Sequence, residues 1–564
     1  MIDMLKIIPR AFRLKGLLVA ATILCRTLLN FMGIAALLPA LYLLLDSENI
    51  HSITWLSKIY EVFGFTTDLN FVIAICLCMV IFIVIKCLIN MFLYRFERDY
   101  IYALYRYLSR NLYIDYFNRG LQFIKSSNSA VLSRNVNVIC YTFVAGVLKP
   151  MAVIVSETLL FALIFISIIF YNPTIALLVM VIFAPIFLLY TTFIKQRVNQ
   201  YGKIENEAQR HKFRDTVDTY RGYADIEINN AFGGMLSLFD ANTDTMVSVG
   251  AKNATISTLP QIFTEIALIV GLTLLVALSV GLESADIKVL VGFFAVAALR
   301  LLPSIRAVMS SWTSLRYNRF AIDIIRDAGI DSPATVEDNT TERMSFQDKI
   351  AVSNLNFRFD DSQSNTLSEI SFEIKKGEKI GINGASGSGK TTLFNLLLGL
   401  YTPTSGTITI DNQVLSTDNR RKWQNSIGYV SQSVFLTDST ILANITLGCK
   451  EEDIDMERVA NAIEAASLSK FIDTLPNGVN TRIGECGALL SGGQRQRIGI
   501  ARALYKGAEV LFFDEATSSL DSVTEHSINE AIESLAQADS SLTIVVIAHR
   551  DSSLSYCDRI ITLE

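Results

Sequence analysis

Apolar and polar positions divide the chain near residue 312. Six apolar runs before that point are long enough to cross about 30 Å of hydrocarbon. They lie near Leu17 to Leu45, Phe71 to Tyr94, Tyr141 to Phe170, Thr174 to Ile194, Leu259 to Leu282 and Ile287 to Trp312. Beyond residue 349 the text alternates as strands do, and short apolar runs are separated by helical spacing, the pattern of a βαβ-rich domain. The polar stretch between reads as a linker. The expected organisation is an α-helical six-span membrane domain over 1–326, a linker over 327–348 and an α/β domain over 349–564.

Polar positions between the spans set the expected orientation. The start carries Lys6, Arg10, Arg13 and Lys15, whereas 46–70 has Lys58 against several acids. Basic loops stay inside, so the amino terminus is expected in the cytoplasm. The same rule places the long connections 95–140 and 195–252 there, and their helical apolar spacing predicts that spans 2 to 5 continue as helices into the cytosol. Spans 3 and 4 are expected to meet in a tight external turn at Tyr171-Asn172-Pro173. The stretch Ile53 to Phe65 spaces Trp55, Leu56, Ile59, Tyr60 and Phe63 as a helix would. It reads either as an interfacial amphipathic helix or as an aromatic anchor between spans.

Composition adds little. The hydrophobic share of 51% fits a membrane protein, and a net charge of -5 gives no basic footprint for nucleic acid. Eight cysteines show no metal-ligand spacing and are expected to be reduced and structural.

Candidate chemistry changes the picture more. GASGSGKT, Gly384 to Thr391, follows the strand-like KIGIN and precedes the helix-like TLFNLLLGL. In a phosphate loop of this kind, backbone N–H groups along Gly384, Ser386, Gly387, Ser388 and Gly389 turn toward phosphates. Lys390 reaches the β- and γ-phosphates, and Thr391, followed by Thr392, can ligate Mg²⁺. VLFFDEATSSLD, Val510 to Asp521, delivers two acids at a strand end: Asp514 for Mg²⁺ and Glu515 to polarise an attacking water. In LLSGGQRQRIGIARAL, Ser491, Gly492, Gly493 and Gln494 open an amphipathic helix and make a natural anion site.

With this third motif the chain resembles the ATP-binding cassette family. The resemblance implies that the α/β domain is a P-loop NTPase cassette using ATP and Mg²⁺. It also implies that the signature Ser491 to Gln494 completes the nucleotide site of a second copy in a head-to-tail homodimer. It makes Gln432, in YVSQSVFLTDSTILANI, a Mg²⁺-sensing and catalytic residue and His549, in VVIAHR, the switch histidine on the γ-phosphate. Asp521 matches the loop that couples the two sites, and Thr481 to Gly487 an exporter-specific loop. Phe359 stands at the adenine-stacking position, where Tyr is usual, and cassettes commonly continue past text such as DRIITLE with another strand and helix. By the same analogy, coupling segments are expected at Ser126 to Asn135 and Tyr223 to Phe232. An integral protein of the bacterial inner membrane, with its cassette in the cytoplasm, follows.

Cargo has to be read from the spans. Ionisable residues inside a membrane helix are costly and face a cavity or a partner. From helix rise alone Arg26 lies about 16 Å beyond Lys15, Lys86 about 24 Å in from the outer end of span 2, and Arg300 and Arg306 about 19 and 28 Å below the outer start of span 6. Four cations face the two acids Glu157 and Glu265. The surplus suits an anionic head group, with interhelical ion pairs as the bland alternative. Arg300 and Arg306 are offset by about 240° around a helix, and Pro303 between them can kink it. GIAALLPALYLLLD, NSAVLSRNVN and AALRLLPSIR resemble PglK-type flippases of lipid-linked oligosaccharides. That resemblance implies a polyprenyl-pyrophosphate cargo held by Lys86, Arg300 and Arg306, with Arg26 a further candidate. Exporters of peptides, drugs or lipid A-like lipids share the architecture and remain open, as does a cassette that gates or regulates instead of transporting.

Overall fold

The computed structural model describes residues 8–36, 58, 60–65, 67–171, 173–280, 286–329, 342–360, 362–515, 522–548 and 554–563. Two compact units result: Met1–Arg119 with Phe123–Thr335, and Gly120–Gln122 with Val336–Glu564.

The first unit is built of helices, with no strand among its described residues. Its elements are α1 (Arg10–Ala35), α2 (Asp68–Asn118), α3 (Gly120–Ser126, of which Phe123–Ser126 belong to this unit), α4 (Ser129–Arg134), α5 (Cys140–Phe143), α6 (Lys149–Tyr171), α7 (Pro173–Arg221), α8 (Tyr223–Ile228), α9 (Phe232–Val280), α10 (Asp286–Tyr317) and α11 (Arg319–Asp327). Among the described residues, four helical stretches are long and apolar enough to cross a membrane: Arg10–Gly33, Leu69–Asn118, Ser129–Phe170 and Phe232–Gly271. The expected helical continuation beyond the apolar runs is present, since α2 runs for 51 residues and α7 and α9 for 49 each. Where the tight turn was expected, Tyr171 ends α6 and Pro173 opens α7, a position where a missing N–H costs nothing; Asn172 lies outside the described residues. Of the expected external helix, 51–57 and Ile59 lie outside the described residues. Tyr60 packs its ring edge-on against Phe71 at 5.1 Å.

Two features of the third span are not visible in hydropathy. Between α4 and α6 the backbone widens twice into π-turns, Asn135–Ile139 and Val144–Leu148. The second precedes Pro150, which has no N–H to give the Gly146 carbonyl four residues back. That carbonyl instead accepts from Ser314 Oγ on α10 at 3.3 Å. The segment expected to couple, Ser126 to Asn135, is a turn and a helix start: Asn128 accepts from Ala130 N and Val131 N and so caps α4. The short helix between the long ones is α3, just before it.

Packing explains which faces are hidden. Leu160, Ile164, Ile168, Phe183, Leu301, Ile305 and Met309 form a buried cluster across α6, α7 and α10. A second cluster joins Leu104, Leu108 and Leu112 of α2 to Phe143, Val147 and, on α11, Ile322 and Ile325. In contrast Leu69, Ile73, Leu77, Val84 and Leu88 on α2 remain more than half exposed, as a lipid-facing surface requires.

The second unit carries two sheets. An antiparallel sheet has the order β2 (Leu367–Lys375), β1 (Lys349–Phe357), β4 (Ser405–Ile410), β5 (Gln413–Val414). A parallel sheet has the order β6 (Ile427–Val430), β7 (Val510–Asp514), β8 (Thr543–Ile547), β3 (Lys379–Gly384), β9 (Arg559–Leu563). Every residue of β7 and β8 is buried, which is why both read as unbroken apolar runs. Helix α12 (Lys390–Leu397) follows β3. The others in chain order are α13 (Arg420–Ser426), α14 (Ile441–Ile445), α15 (Met456–Ala465), α16 (Ser469–Asp473), α17 (Gly492–Tyr505) and α18 (Ser522–Ala538). The expected linker gives way to this unit earlier than residue 349. Met344 and Phe346 are 3% and 0% exposed in its core, and Met344 N donates to Lys422 O at 3.0 Å.

Candidate functional site

Topology gathers the cassette motifs before any side chain is considered. The phosphate loop leaves β3, Asp514 ends β7 and Gln432 follows β6, so all three sit past the carboxyl ends of parallel strands, where such sheets bind ligands. Phe394 of α12 meets Phe512 of β7 edge to face at 5.4 Å, locking the helix after the phosphate loop against the strand that carries Asp514.

The loop itself needs its glycines. Gly387 and Gly389 have φ of 88° and 90°, and a Cβ on Gly389 would come within 3.0 Å of the Thr366 carbonyl. Lys390, 6% exposed, donates from Nζ to the carbonyls of Gly384 at 2.8 Å and Ala385 at 3.0 Å. Its ammonium is thus stored against the loop it would leave to meet a phosphate. Ser388 Oγ is buried with no hydrogen-bond partner, an orphan that a phosphate oxygen would satisfy. Ser386 and Thr391 are exposed at the loop's rim and Thr392 is half-buried.

Across the sheet, Asp514 is 6% exposed and accepts from Tyr429 Oη at 3.3 Å. Desolvation of the Tyr429 phenol and the adjacent Asp514 carboxylate raise its pKa, so it stays a neutral donor. Glu515 adopts φ of 46°, a left-handed conformation that costs a non-glycine residue about 1–2 kcal/mol. Its N–H is tied to Ile547 O at 3.0 Å, and its carboxylate accepts from Gln432 Nε2 at 2.9 Å. Sequence reasoning missed Gln496, buried on α17, whose Nε2 donates to the Gln432 carbonyl at 2.8 Å and so fixes the loop that aims Gln432.

The signature folds as a capping box. Ser491 N donates to Gln494 Oε1 at 2.8 Å and Gln494 N to Ser491 Oγ at 3.3 Å. This pins the first turn of α17 with Gly492 and Gly493 at its start. Among the described residues, no hydrogen bond or ring contact joins Ser491 to Gln494 with the phosphate loop of the same chain. Phe359 is half-buried and set edge-on to Phe357 at 4.9 Å and Tyr401 at 5.8 Å. Tyr401 is a neighbour that spacing could not reveal. His549 and Asp521 lie outside the described residues. Among those described, no cluster of three His, Cys, Asp or Glu residues stands ready for a metal.

In the helical unit the expected cationic set separates. Arg26 does not stand free at mid-span: its Nη1 lies 3.2 Å from Glu97 Oε2, and its guanidinium covers the Tyr94 ring at 4.1 Å. Glu97 is an acid that the inventory of two had omitted. Arg26 is therefore level with the expected inner end of span 2. One rung further on, Asn90 Nδ2 donates to Asn30 Oδ1 at 2.9 Å. Beyond that, Lys86 lies where a Cβ on Gly33 would meet its Nζ at 2.8 Å. The two acids of the inventory are also engaged: Glu157 accepts from Ser304 Oγ at 2.7 Å and Glu265 from Gln261 Nε2 at 3.0 Å. Arg306 is exposed and its Nη2 is 3.4 Å from Thr264 Oγ1. Pro303 is carried within a continuous α10, and the Arg300 side chain lies outside the described residues.

Comparison with known proteins agrees with this construction. The family model described as ABC transporter matches residues 367–518. A protein named ATP-dependent lipid A-core flippase, from Ralstonia nicotianae, is 32% identical over 412 residues, covering 72% of this chain and 68% of its own. One of the same name from Cupriavidus pinatubonensis is 33% identical over 346 residues, 61% of this chain and 58% of its own. The solved structure titled "Structure of a bacterial Atm1-family ABC exporter with ATP bound" superposes with a TM-score of 0.77 at 20% identity, covering 98% of this chain and 94% of that one. That likeness shows the fold: a helical membrane-type domain joined to a cassette. With the phosphate loop, the strand-end acids and the signature in place, the chain belongs to the ABC transporter family.

Proposed function

We propose that the chain is an ATP-driven half-transporter that works as a homodimer and moves a phosphate-bearing lipid from the cytoplasmic to the outer leaflet by alternating access. The Gln432–Glu515 contact carries the power stroke's part of this reading, because it holds a carboxylate in a fixed pose just past the carboxyl end of β7, at the same end of the parallel sheet as the phosphate loop. ATP would lie along Gly384 to Thr392 with its base against Phe359. Thr391, Asp514 and Gln432 offer the oxygens that would hold Mg²⁺, which supplies charge neutralisation for the phosphates when bound. Lys390 swings from the Gly384 and Ala385 carbonyls to a phosphate oxygen. Glu515, and His549 by family analogy, orient and deprotonate the attacking water. Ser491 to Gln494, without a link to their own phosphate loop, are available to close the site of a second copy.

For the cargo, the supporting observation is that Lys86 and Arg306 have no carboxylate partner among the described residues, whereas Arg26 does. Unpaired cations in a span favour an anionic head. A polyprenyl-pyrophosphate oligosaccharide and a lipid A-like molecule both carry one, and the name of the relatives, ATP-dependent lipid A-core flippase, favours the second. Arg300 joins Lys86 and Arg306 in this role.

Flipping assays in proteoliposomes test it. Lys86→Ala with Arg306→Ala is expected to slow flipping of a phosphate-bearing lipid about 10-fold while ATP hydrolysis without lipid stays within about twofold, a loss of about 1.4 kcal/mol in cargo recognition. Flipping at the parental rate, or stimulation of hydrolysis by peptides and not by lipids, would overturn the cargo.

A further inference from the structure

We propose that a cavity walled by α1, α2 and the α5–α6 stretch is a binding site for the phosphate headgroup of a membrane lipid, separate from the transported molecule. It has a volume of about 680 Å³, within the range of small-ligand sites. Four cations line it, Arg26, Arg95, Arg98 and Lys149, against the single carboxylate Glu97. Its remaining wall is largely apolar, with Phe92, Ile101, Val144 and Val153.

Two of the side chains that line it, Arg26 and Glu97, each carry a buried polar atom without a hydrogen-bond partner. Arg26 is 4% exposed and one nitrogen is paired with Glu97, yet its Nε is buried without a hydrogen-bond partner. Glu97 Oε1 is likewise buried and unmatched. Leaving a charged donor and a charged acceptor unmade is costly, so a group offering an acceptor to Arg26 and a donor to Glu97 would repair both. A phosphate diester with a hydroxyl or ammonium on its head group is such a group. The front of the cavity adds attraction. Arg95 and Arg98 share Asp99, at 3.9 and 3.4 Å, with side chains 73% and 60% exposed. Lys149 is also exposed and pairs with no acid among the described residues.

Position favours a lipid over a free anion. Tyr94 and Glu97 mark the expected inner end of span 2, where lipid phosphates lie and basic side chains collect anionic head groups. The apolar wall then takes the first carbons of an acyl chain, which inorganic phosphate could not use.

The site is read by equilibrium binding without ATP, so its outcome is independent of whether the protein flips anything. Native mass spectrometry of the delipidated full chain would be run against phosphatidylglycerol, a diacylglycerol with the same chains, and inorganic phosphate. In R95Q/R98Q/K149Q, which touches only exposed side chains, phosphatidylglycerol occupancy is expected to fall at least fivefold with an unchanged melting temperature. R106Q/R110Q, further along α2 and also exposed, is expected to bind as the parent does. Parental occupancy in the triple variant, an equal loss in the control, diacylglycerol binding as well as phosphatidylglycerol, or displacement by millimolar inorganic phosphate would each overturn the assignment.

Discussion

Glu515→Gln is expected to cut phosphate release by about 10²–10⁴-fold, the range general-base catalysis contributes, while ATP still binds. Two features make the substitution clean. The new side chain has nearly the same shape, and its carbonyl oxygen can still accept from Gln432 Nε2, which reaches Oε2 at 2.9 Å in the parent. The backbone at φ of 46° costs glutamine what it costs glutamate, and the Glu515 N–H bond to Ile547 O is untouched. Folding should therefore be unaffected, and what is lost is the charge that draws a proton from water. Phosphate release in proteoliposomes, with retention of labelled nucleotide after gel filtration, checks both halves. Hydrolysis within threefold of the parent would remove Glu515 from its assigned role.

The site was legible in sequence to the extent that its chemistry is local. GASGSGKT reads correctly because glycine at left-handed φ and a helix directly after a strand are properties of adjacent residues. VLFFD reads as a buried parallel strand for the same reason. Groups that act across the fold were hidden. Gln496 reaches the Gln432 carbonyl over a separation of 64 residues, and nothing in LLSGGQRQR announces that contact.

The helical unit divides along the same line. Long apolar runs with helical continuation foretold α2, α7 and α9. A rise counted from Lys15 put Arg26 at mid-span but carries no information about the antiparallel partner α2, whose Glu97 and Tyr94 meet Arg26 in the structure. The π-turn before Pro150 depends on Ser314, far along the chain, to take the freed carbonyl. Met344 and Phe346 sit in polar text whose apolar minority becomes meaningful only beside Trp423, Ile350 and Ile410.

Gly202→Ala is expected to be the most destabilising single methyl in the helical unit. Gly202 is buried on α7 where α10 ends, and a Cβ there would stand 1.8 Å from the carbonyl oxygen of Tyr317 and 2.7 Å from its carbon. Neither neighbour is a side chain that could rotate away. Two helix backbones must part, which places the cost near or above the upper end of overpacking, about 3 kcal/mol. Parting α7 from α10 also strains the buried 2.6 Å bond between Tyr190 Oη and Thr313 Oγ1 that joins the same two helices. Gly250→Ala supplies the opposite sign. Nothing lies within 4 Å of a Cβ on Gly250, in the interior of α9, so the helix gains about 1 kcal/mol of propensity with no contact to pay it back. Thermal melts of the detergent-purified chain should separate the pair by about 5 °C or more, Gly202→Ala below the parent and Gly250→Ala at or above it. Equal melts would mean that α7 and α10 do not meet at Gly202, and the close approach of helix backbones that holds this part of the membrane domain together would have to be abandoned.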